Sequence, residues 1–183
     1  MIYGFDISTV NVGIAILDDS GKSLVYSEVI KLDSKESLEQ RAQIVKKTVN
    51  VLLEEYPASE VAVETPAKSF SKNQSTAHII ALLNRFNGMC CFILYEATGI
   101  VPELIEVRTA RKLAGLKMQK VENPKSSAGK RKMKQQIIDH ISGLFENFKY
   151  ELTRAGNAVP TTADRADACI IAIAKWHLLN NPR

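Results

Sequence analysis

Four carboxylates occupy positions where an acid is costly to place. Asp6 interrupts the apolar run Ile2-Tyr3-Gly4-Phe5-Asp6-Ile7, flanked by Phe5 and Ile7. A carboxylate within such a strand is expensive to bury unless it is paired or bound to a metal. Glu64 ends a second short apolar run, Val61-Ala62-Val63-Glu64, just before Pro66. Asp164 and Asp167 lie three residues apart near the start of the last helical pattern, so they share one face. Held ~5 Å apart, such acids repel by roughly 3 kcal/mol per pair at an effective dielectric of ~20. Two magnesium ions ~3.5–4 Å apart would offset that repulsion and support phosphoryl chemistry. Carboxylate oxygens suit a hard cation, with Mn2+ able to substitute and no histidine ligand required. Taken singly, each acid has a plainer role. Asp164 and Asp167 read as helix N-terminal acids favoured by the macrodipole, Asp6 as a turn residue, and Glu64 as a surface acid at a strand end.

A second feature is basic. From Arg108 to Lys134 there are ten Lys/Arg and one acid, Glu122, against 14 basic and 19 acidic residues in the rest of the chain. The net charge of +4 thus conceals an acidic body carrying one basic segment, which points to a polyanion contact. On its own, such a run reads as a solvated loop.

The elements that must position these groups follow from periodicity. Residues 2–7, 12–17 and 24–31 read as strands of an antiparallel meander, with turns at Ser8–Asn11 and Asp18–Gly21. Residues 35–56 repeat apolar positions (Leu38, Ala42, Val45, Val49, Leu52) at helical spacing. A buried strand is expected at 61–64. A long helix should follow from Ser75, its cap, to about Glu96, ending at Gly99. That helix is apolar almost all round, which predicts a second partner surface and a homodimer through it. A fifth strand is expected at 103–107, a short helical turn at 108–113, a loop at 121–129, and helices over 132–148 and 162–179. Strands one and four should pair in parallel beside the meander. The result is an α/β fold with a mixed five-stranded sheet flanked by helices.

The length suits one domain over 1–183. A composition of 45% hydrophobic and 24% charged residues is ordinary for a soluble globular protein. No apolar run is read as approaching membrane-span length, and no membrane contact is expected. The chain opens directly on a strand pattern, which predicts no leader peptide. The cysteines, Cys90, Cys91 and Cys169, lack zinc or disulfide spacing and are read as packing residues of a reduced, cytoplasmic protein. His78, His140 and His177 show no site spacing, and Trp176 reads as core or interface.

At the acidic residues the chain resembles the RuvC-type Holliday junction resolvases of the RNase H-like nuclease superfamily. The matching motifs are Asp6-Ile7-Ser8-Thr9-Val10-Asn11-Val12-Gly13, Ala62-Val63-Glu64 and Ala163-Asp164-Arg165-Ala166-Asp167-Ala168, in this order over residues 1 to about 178. The resemblance implies an RNase H-like fold, a homodimer, and metal-dependent symmetric cutting of four-way DNA, with Asp6, Glu64, Asp164 and Asp167 holding two Mg2+. It also implies a lysine near the cleaved phosphate. Lys134 is the candidate, with Lys132 and Arg131 as competitors and Lys112 similar to the family lysine after the fifth strand. Phe70 is similar to an aromatic residue that stacks at the junction centre, although it could equally be a loop hydrophobe. Lys125, Lys130, Arg131 and Lys132 are expected to contact DNA, and residues 117–129 read as an insertion touching DNA arms or as a disordered loop.

Readings of other classes remain. The pattern Asp6-x-Ser8-Thr9-x-x-x-Gly13 also resembles the phosphate loop of actin-like ATPases and sugar kinases, but those need a second domain and a second glycine-rich loop. A YqgF-like or other RNase H-superfamily nuclease, acting on RNA or other branched DNA, is closer. A non-catalytic nucleic-acid-binding module would use the basic segment but would not need all four acids.

Overall fold

A computed structural model describes residues 1–66 and 74–181, with the backbone alone for 74–76. Among the described residues, ten elements follow in chain order: β1 (Ile2–Ile7), β2 (Asn11–Leu17), β3 (Leu24–Lys31), α1 (Leu38–Glu55), β4 (Glu60–Glu64), α2 (Gln74–Thr98), β5 (Glu103–Ile105), α3 (Val107–Leu113), α4 (Ser127–Leu144) and α5 (Thr161–Asn180). The strands form one mixed sheet in the order β3-β2-β1-β4-β5. β1, β2 and β3 pair antiparallel, whereas β4 runs parallel to both β1 and β5. The expected meander and parallel pairing are both present.

Both faces of the sheet are covered, and strand alternation divides the core between them. Tyr3, Phe5, Ile7, Val61 and Val63 pack with α1 and α2. Ile2, Ala15, Leu17 and Ala62 pack with α3, α4 and α5. Gly4 also faces α5: a Cβ there would stand 2.4 Å from the carbonyl oxygen of Ala168. Asp6 continues the Ile2–Gly4 series on β1, and Glu64 continues the Ala62 series on β4. Both acids therefore face α5, because successive side chains alternate across a strand.

α5 lies across the middle of the sheet and packs on β1, β2 and β4 while α3 and α4 flank it. Its buried set is correspondingly broad, running from Thr162 and Ala163 to Ala174 and Lys175. The aliphatic stem of Lys175 is buried and its ammonium reaches Glu60 and Glu103, each at 2.9 Å. This ties α5 to the outer strands. α1 begins behind a reciprocal capping box between Ser37 and Gln40, three residues later than the periodicity predicts.

Other boundaries also differ from expectation, and α4 ends at Leu144 rather than at 148. α4 starts at Ser127 rather than after Gly129, because Ser126 caps it by accepting from the Gly129 N–H at 3.0 Å. Gly129 packs so tightly on the preceding turn that a Cβ would lie 2.2 Å from the carbonyl oxygen of Asn123. Small residues that read as loop by composition are here the first turn of a helix. β5 is only three residues long and passes straight into α3. Ser75 lies inside α2, which begins at Gln74, and so is not its cap.

The reading that no segment approaches membrane-span length is also corrected. Ala77–Thr98 of α2 is long and apolar enough to cross a membrane by length and composition. In the fold, Phe86, Cys90, Ile93 and Leu94 of this helix pack into the layer shared with α1. Ile79, Phe92 and Tyr95 remain exposed.

Candidate active site

The acids meet at the carboxyl ends of β1 and β4, under the first turns of α5. The parallel register pairs Gly4 with Ala62 and Phe5 with Val63, so the next residues along, Asp6 and Glu64, stand side by side. On the other side, Asp6 pairs with Gly13 of β2. Gly13 lets the helix backbone come down onto the sheet, since a Cβ there would lie 2.2 Å from the carbonyl oxygen of Asp164. That approach brings Asp164 and Asp167 over Asp6 and Glu64.

The turn after β1 is built to hold the same geometry. The Ser8 N–H donates to the Asn11 carbonyl at 2.8 Å, and the Ser8 hydroxyl accepts from the Asn11 N–H at 3.0 Å. The Asn11 side-chain amide then donates to Asp164 Oδ2 at 2.9 Å. From the opposite layer, buried Arg41 donates to the Thr9 carbonyl at 2.7 Å and also to the carbonyls of Ser34 and Glu36. Arg165, between the two helix acids, fastens the start of α5. It donates to Ser27 Oγ at 2.9 Å and to the Lys149 carbonyl at 3.1 Å, and its guanidinium lies 4.9 Å from the centre of the Phe148 ring.

Electrostatics reports the crowding. Burial, then the charges of Glu64, Asp167 and Asp164, pushes the Asp6 carboxyl well above the usual range, with Lys134 pulling the other way. Burial and then Asp167 raise Glu64 to about 7, against an opposing effect from Arg111. Burial likewise raises Asp164, opposed by Lys134 and by the Asn11 hydrogen bond. Asp167 is raised by burial and pulled back by Arg111. Desolvation and mutual repulsion both disfavour the ionised cluster, as expected for gathered carboxylates.

Among the described residues, two cations face the cluster. Arg111 of α3 reaches Asp167 Oδ1 at 3.2 Å. Lys134 of α4 stands 4.0 Å from Asp164 Oδ1, with its side chain about half exposed. Lys134 therefore stands at the cluster, from within α4 rather than from the helix start where the sequence reading puts it. Lys112, by contrast, is exposed, and the α3 cation that meets the acids is its neighbour Arg111. Lys125, Lys130, Arg131 and Lys132 are all exposed, the last three on the first turns of α4 and Lys125 just before it. Phe70 lies outside the described residues.

The donor set fits a hard divalent cation, being all carboxylate oxygen and short of positive charge. The side chains are gathered without being closed. Among the described residues, no three His, Cys, Asp or Glu side chains converge tightly enough to define an ion position. Asn11, Arg111, Arg41 and Arg165 escaped the sequence reading. Only Asn11 carried a signal, as the polar residue that closes the turn between two apolar strands.

No family model matches the chain, and no curated protein matches it in sequence. Solved structures do match in shape. The Thermus thermophilus RuvC in complex with Holliday junction substrate aligns with 97% of this chain and 93% of its own, at a TM-score of 0.64 and 16% identity. A second Thermus thermophilus RuvC structure aligns with 98% of this chain and 96% of its own, at a TM-score of 0.62 and 17% identity. With the mixed five-stranded sheet and its flanking helices, these matches show that the chain has the RNase H-like fold of the RuvC-type resolvases.

Proposed function

We propose that the protein is a divalent-metal-dependent endodeoxyribonuclease that cuts four-way DNA junctions symmetrically as a homodimer. The observation that carries this reading is the convergence of Asp6, Glu64, Asp164 and Asp167 from β1, β4 and α5 at one end of the sheet, with Lys134 at the rim. The four carboxylates would hold two Mg2+, or Mn2+ in their place. When bound, such ions supply a nucleophilic water at neutral pH and stabilise charge on the leaving oxygen.

The chain's own groups do the rest. Asn11 and the Gly13 contact fix Asp164 relative to Asp6. Arg111 orients Asp167 and partly neutralises the cluster. Lys134 projects from an exposed helix face toward Asp164, where its ammonium can meet a strand phosphate as negative charge develops on it. Exposed Lys125, Lys130, Arg131 and Lys132 extend that positive face along α4 and can position the backbone of a DNA arm. The T. thermophilus RuvC structure with a Holliday junction supports branched DNA as the substrate class. The exposed Ile79, Phe92 and Tyr95 on α2 support a second copy as the partner of that helix.

The test compares a synthetic four-way junction with linear duplex and with RNA–DNA hybrid, each with Mg2+ and with chelator. Paired, symmetric, metal-dependent nicks in the junction are expected. Preferential cutting of the hybrid would move the protein to a different nuclease class. Junction binding without cleavage in either metal would make it a binding module.

A further inference from the structure

Arg41 stands in the apolar stripe of α1 and is only 9% exposed. Its companions on that face, Leu38, Ala42 and Val45, are aliphatic. Docking of the helix asks for nothing more than another aliphatic side chain there. A charged group in such a place is costly unless its donors are satisfied. Four donated hydrogen bonds satisfy this one. Nη1 donates to the Thr9 carbonyl at 2.7 Å, Nη2 to the carbonyls of Ser34 and Glu36, each at 2.7 Å, and Nε to that of Glu36 at 3.0 Å. Among the described residues its partners are main-chain carbonyls alone. A planar guanidinium presents its donors in a fixed fork and can hold three carbonyls at once, which a lysine ammonium does less well.

The acceptors belong to two connections. Ser34 and Glu36 lie between β3 and α1, and Thr9 lies in the turn between β1 and β2. A further bond joins the same two segments, from the Leu32 N–H to the Val10 carbonyl at 2.9 Å. Both central carbonyls of the turn are therefore held from the α1 side. Two residues beyond Thr9, Asn11 donates to Asp164 Oδ2 at 2.9 Å on the α5 side. Three residues before Thr9 stands Asp6. The turn is thus a bridge between the two helical layers, fastened by Arg41 on one face of the sheet and holding Asp164 on the other.

We propose that Arg41 is a positioning residue for the acid cluster: it fixes the turn between β1 and β2 from the α1 layer, so that Asn11 holds Asp164 in place over Asp6. The placement of the acids then depends on a helix that contributes no group to the site itself. The consequence for metal affinity rests on the reading of the four acids as a metal site; the grip on the turn and on the start of α5 does not.

The test compares the full chain with Arg41→Ala and with Val45→Ala. Val45 is fully buried on the same stripe, so its truncation loosens α1 without removing a bond to the turn. Hydrogen–deuterium exchange in chelator reads the geometry without metal. Relative to the strands, Arg41→Ala should exchange faster both at residues 8–13 and at residues 161–167, and Val45→Ala at neither. Mn2+ binding without DNA, followed by electron paramagnetic resonance, should weaken about 10- to 100-fold in Arg41→Ala, the usual cost of losing a group that orients metal ligands. It should stay near wild type in Val45→Ala. Millimolar methylguanidinium can refill the carbonyl cradle and should restore Mn2+ affinity to Arg41→Ala but not to Asn11→Ala. Where Arg41→Ala fails to fold, Arg41→Lys decides, since it keeps the charge and loses the fork. A folded Arg41 variant with wild-type exchange at the start of α5 and wild-type Mn2+ affinity overturns the proposal. Equal losses in Val45→Ala overturn it as well, because loosened packing would then explain them. A wild type that binds no Mn2+, with α5 still freed in the Arg41 variant, overturns the metal reading and leaves the positioning role standing.

Discussion

Replacing Gly13 by alanine places a methyl carbon 2.2 Å from the carbonyl oxygen of Asp164 and 2.8 Å from its carbonyl carbon. Ordinary contact begins near 3.4 Å, so the first turn of α5 must retreat by about 1.2 Å, or β2 must bend away. The clash is with backbone, so no rotamer change relieves it. Overpacking of this kind costs ~1–3 kcal/mol, read as a lower urea midpoint. The larger effect is on the site. Asp164 and Asp167 would withdraw from Asp6 and Glu64, and the Asn11–Asp164 hydrogen bond of 2.9 Å would stretch beyond bonding range. Misplacement by about 1 Å costs on the order of 100-fold in rate. Gly13→Ala should therefore lose about two orders of magnitude in single-turnover junction cleavage while keeping its affinity for the junction in chelator. Gly143→Ala is the control. That residue is exposed near the end of α4 with nothing within 4 Å of an added Cβ, so alanine there should add up to ~1 kcal/mol of stability and leave the rate unchanged. A Gly13→Ala protein with wild-type stability and rate would refute the claim that helix-on-sheet contact sets the geometry of the acids.

Single changes of Asp6, Glu64, Asp164 or Asp167 to Asn or Gln should abolish metal-dependent cleavage with junction binding intact or tighter; full activity in two of the four would dismiss the site. Glu64 titrates at about 7 in the folded protein against an ordinary 4.5, so the folded state holds that proton more tightly than the unfolded chain does. Its stabilising contribution is complete below about pH 4.5 and is lost as the pH rises through about 7, a change of roughly 3 kcal/mol that melts in chelator should register and that Glu64→Gln should remove. A flat profile for the wild type over that window would mean that the carboxylate is not crowded. Changing Lys125, Lys130 and Arg131 together to Ala should flatten the log–log salt dependence of junction binding by up to about 3 units; an unchanged slope would make the start of α4 a bystander. Lys134→Ala should slow cleavage more than it weakens binding, and a normal rate would pass the catalytic role to Lys132 or Arg111. Sedimentation at micromolar concentration should show a dimer that Phe92→Glu dissociates, since Phe92 is 64% exposed on α2; a monomer both free and on DNA would remove the two-fold arrangement.

Local pattern was enough to read the sheet and to pick out the acids. Apolar, β-branched runs between turn residues mark β1 and β2, which are buried on both faces, alternation marks β3, and α1 declares itself by one apolar stripe turned toward the core. Asp6 and Glu64 were legible for the converse reason: an acid inside or at the end of a buried strand is costly, so its presence asks for a partner. Lys134 was singled out by the family resemblance and not by local pattern, and it lies seven residues into α4 rather than opening it. What stayed hidden depends on how elements approach one another. Nothing in Val107–Leu113 distinguishes Arg111 from Lys112, which are adjacent, equally charged residues. Only the packing of α3 against α5 turns Arg111 toward Asp167, 56 residues away, and leaves Lys112 in solvent. The start of α4 was read as loop because its residues are small, and tertiary contact between Gly129 and the Asn123 turn makes that smallness a packing requirement. The role of Gly13 is of the same kind. Its place beside Asp6 follows from strand pairing, but the reason no side chain fits there is a helix backbone more than 150 residues further along the chain. Periodicity along a chain specifies which face is buried; the distance at which two buried faces meet is decided only when both are folded.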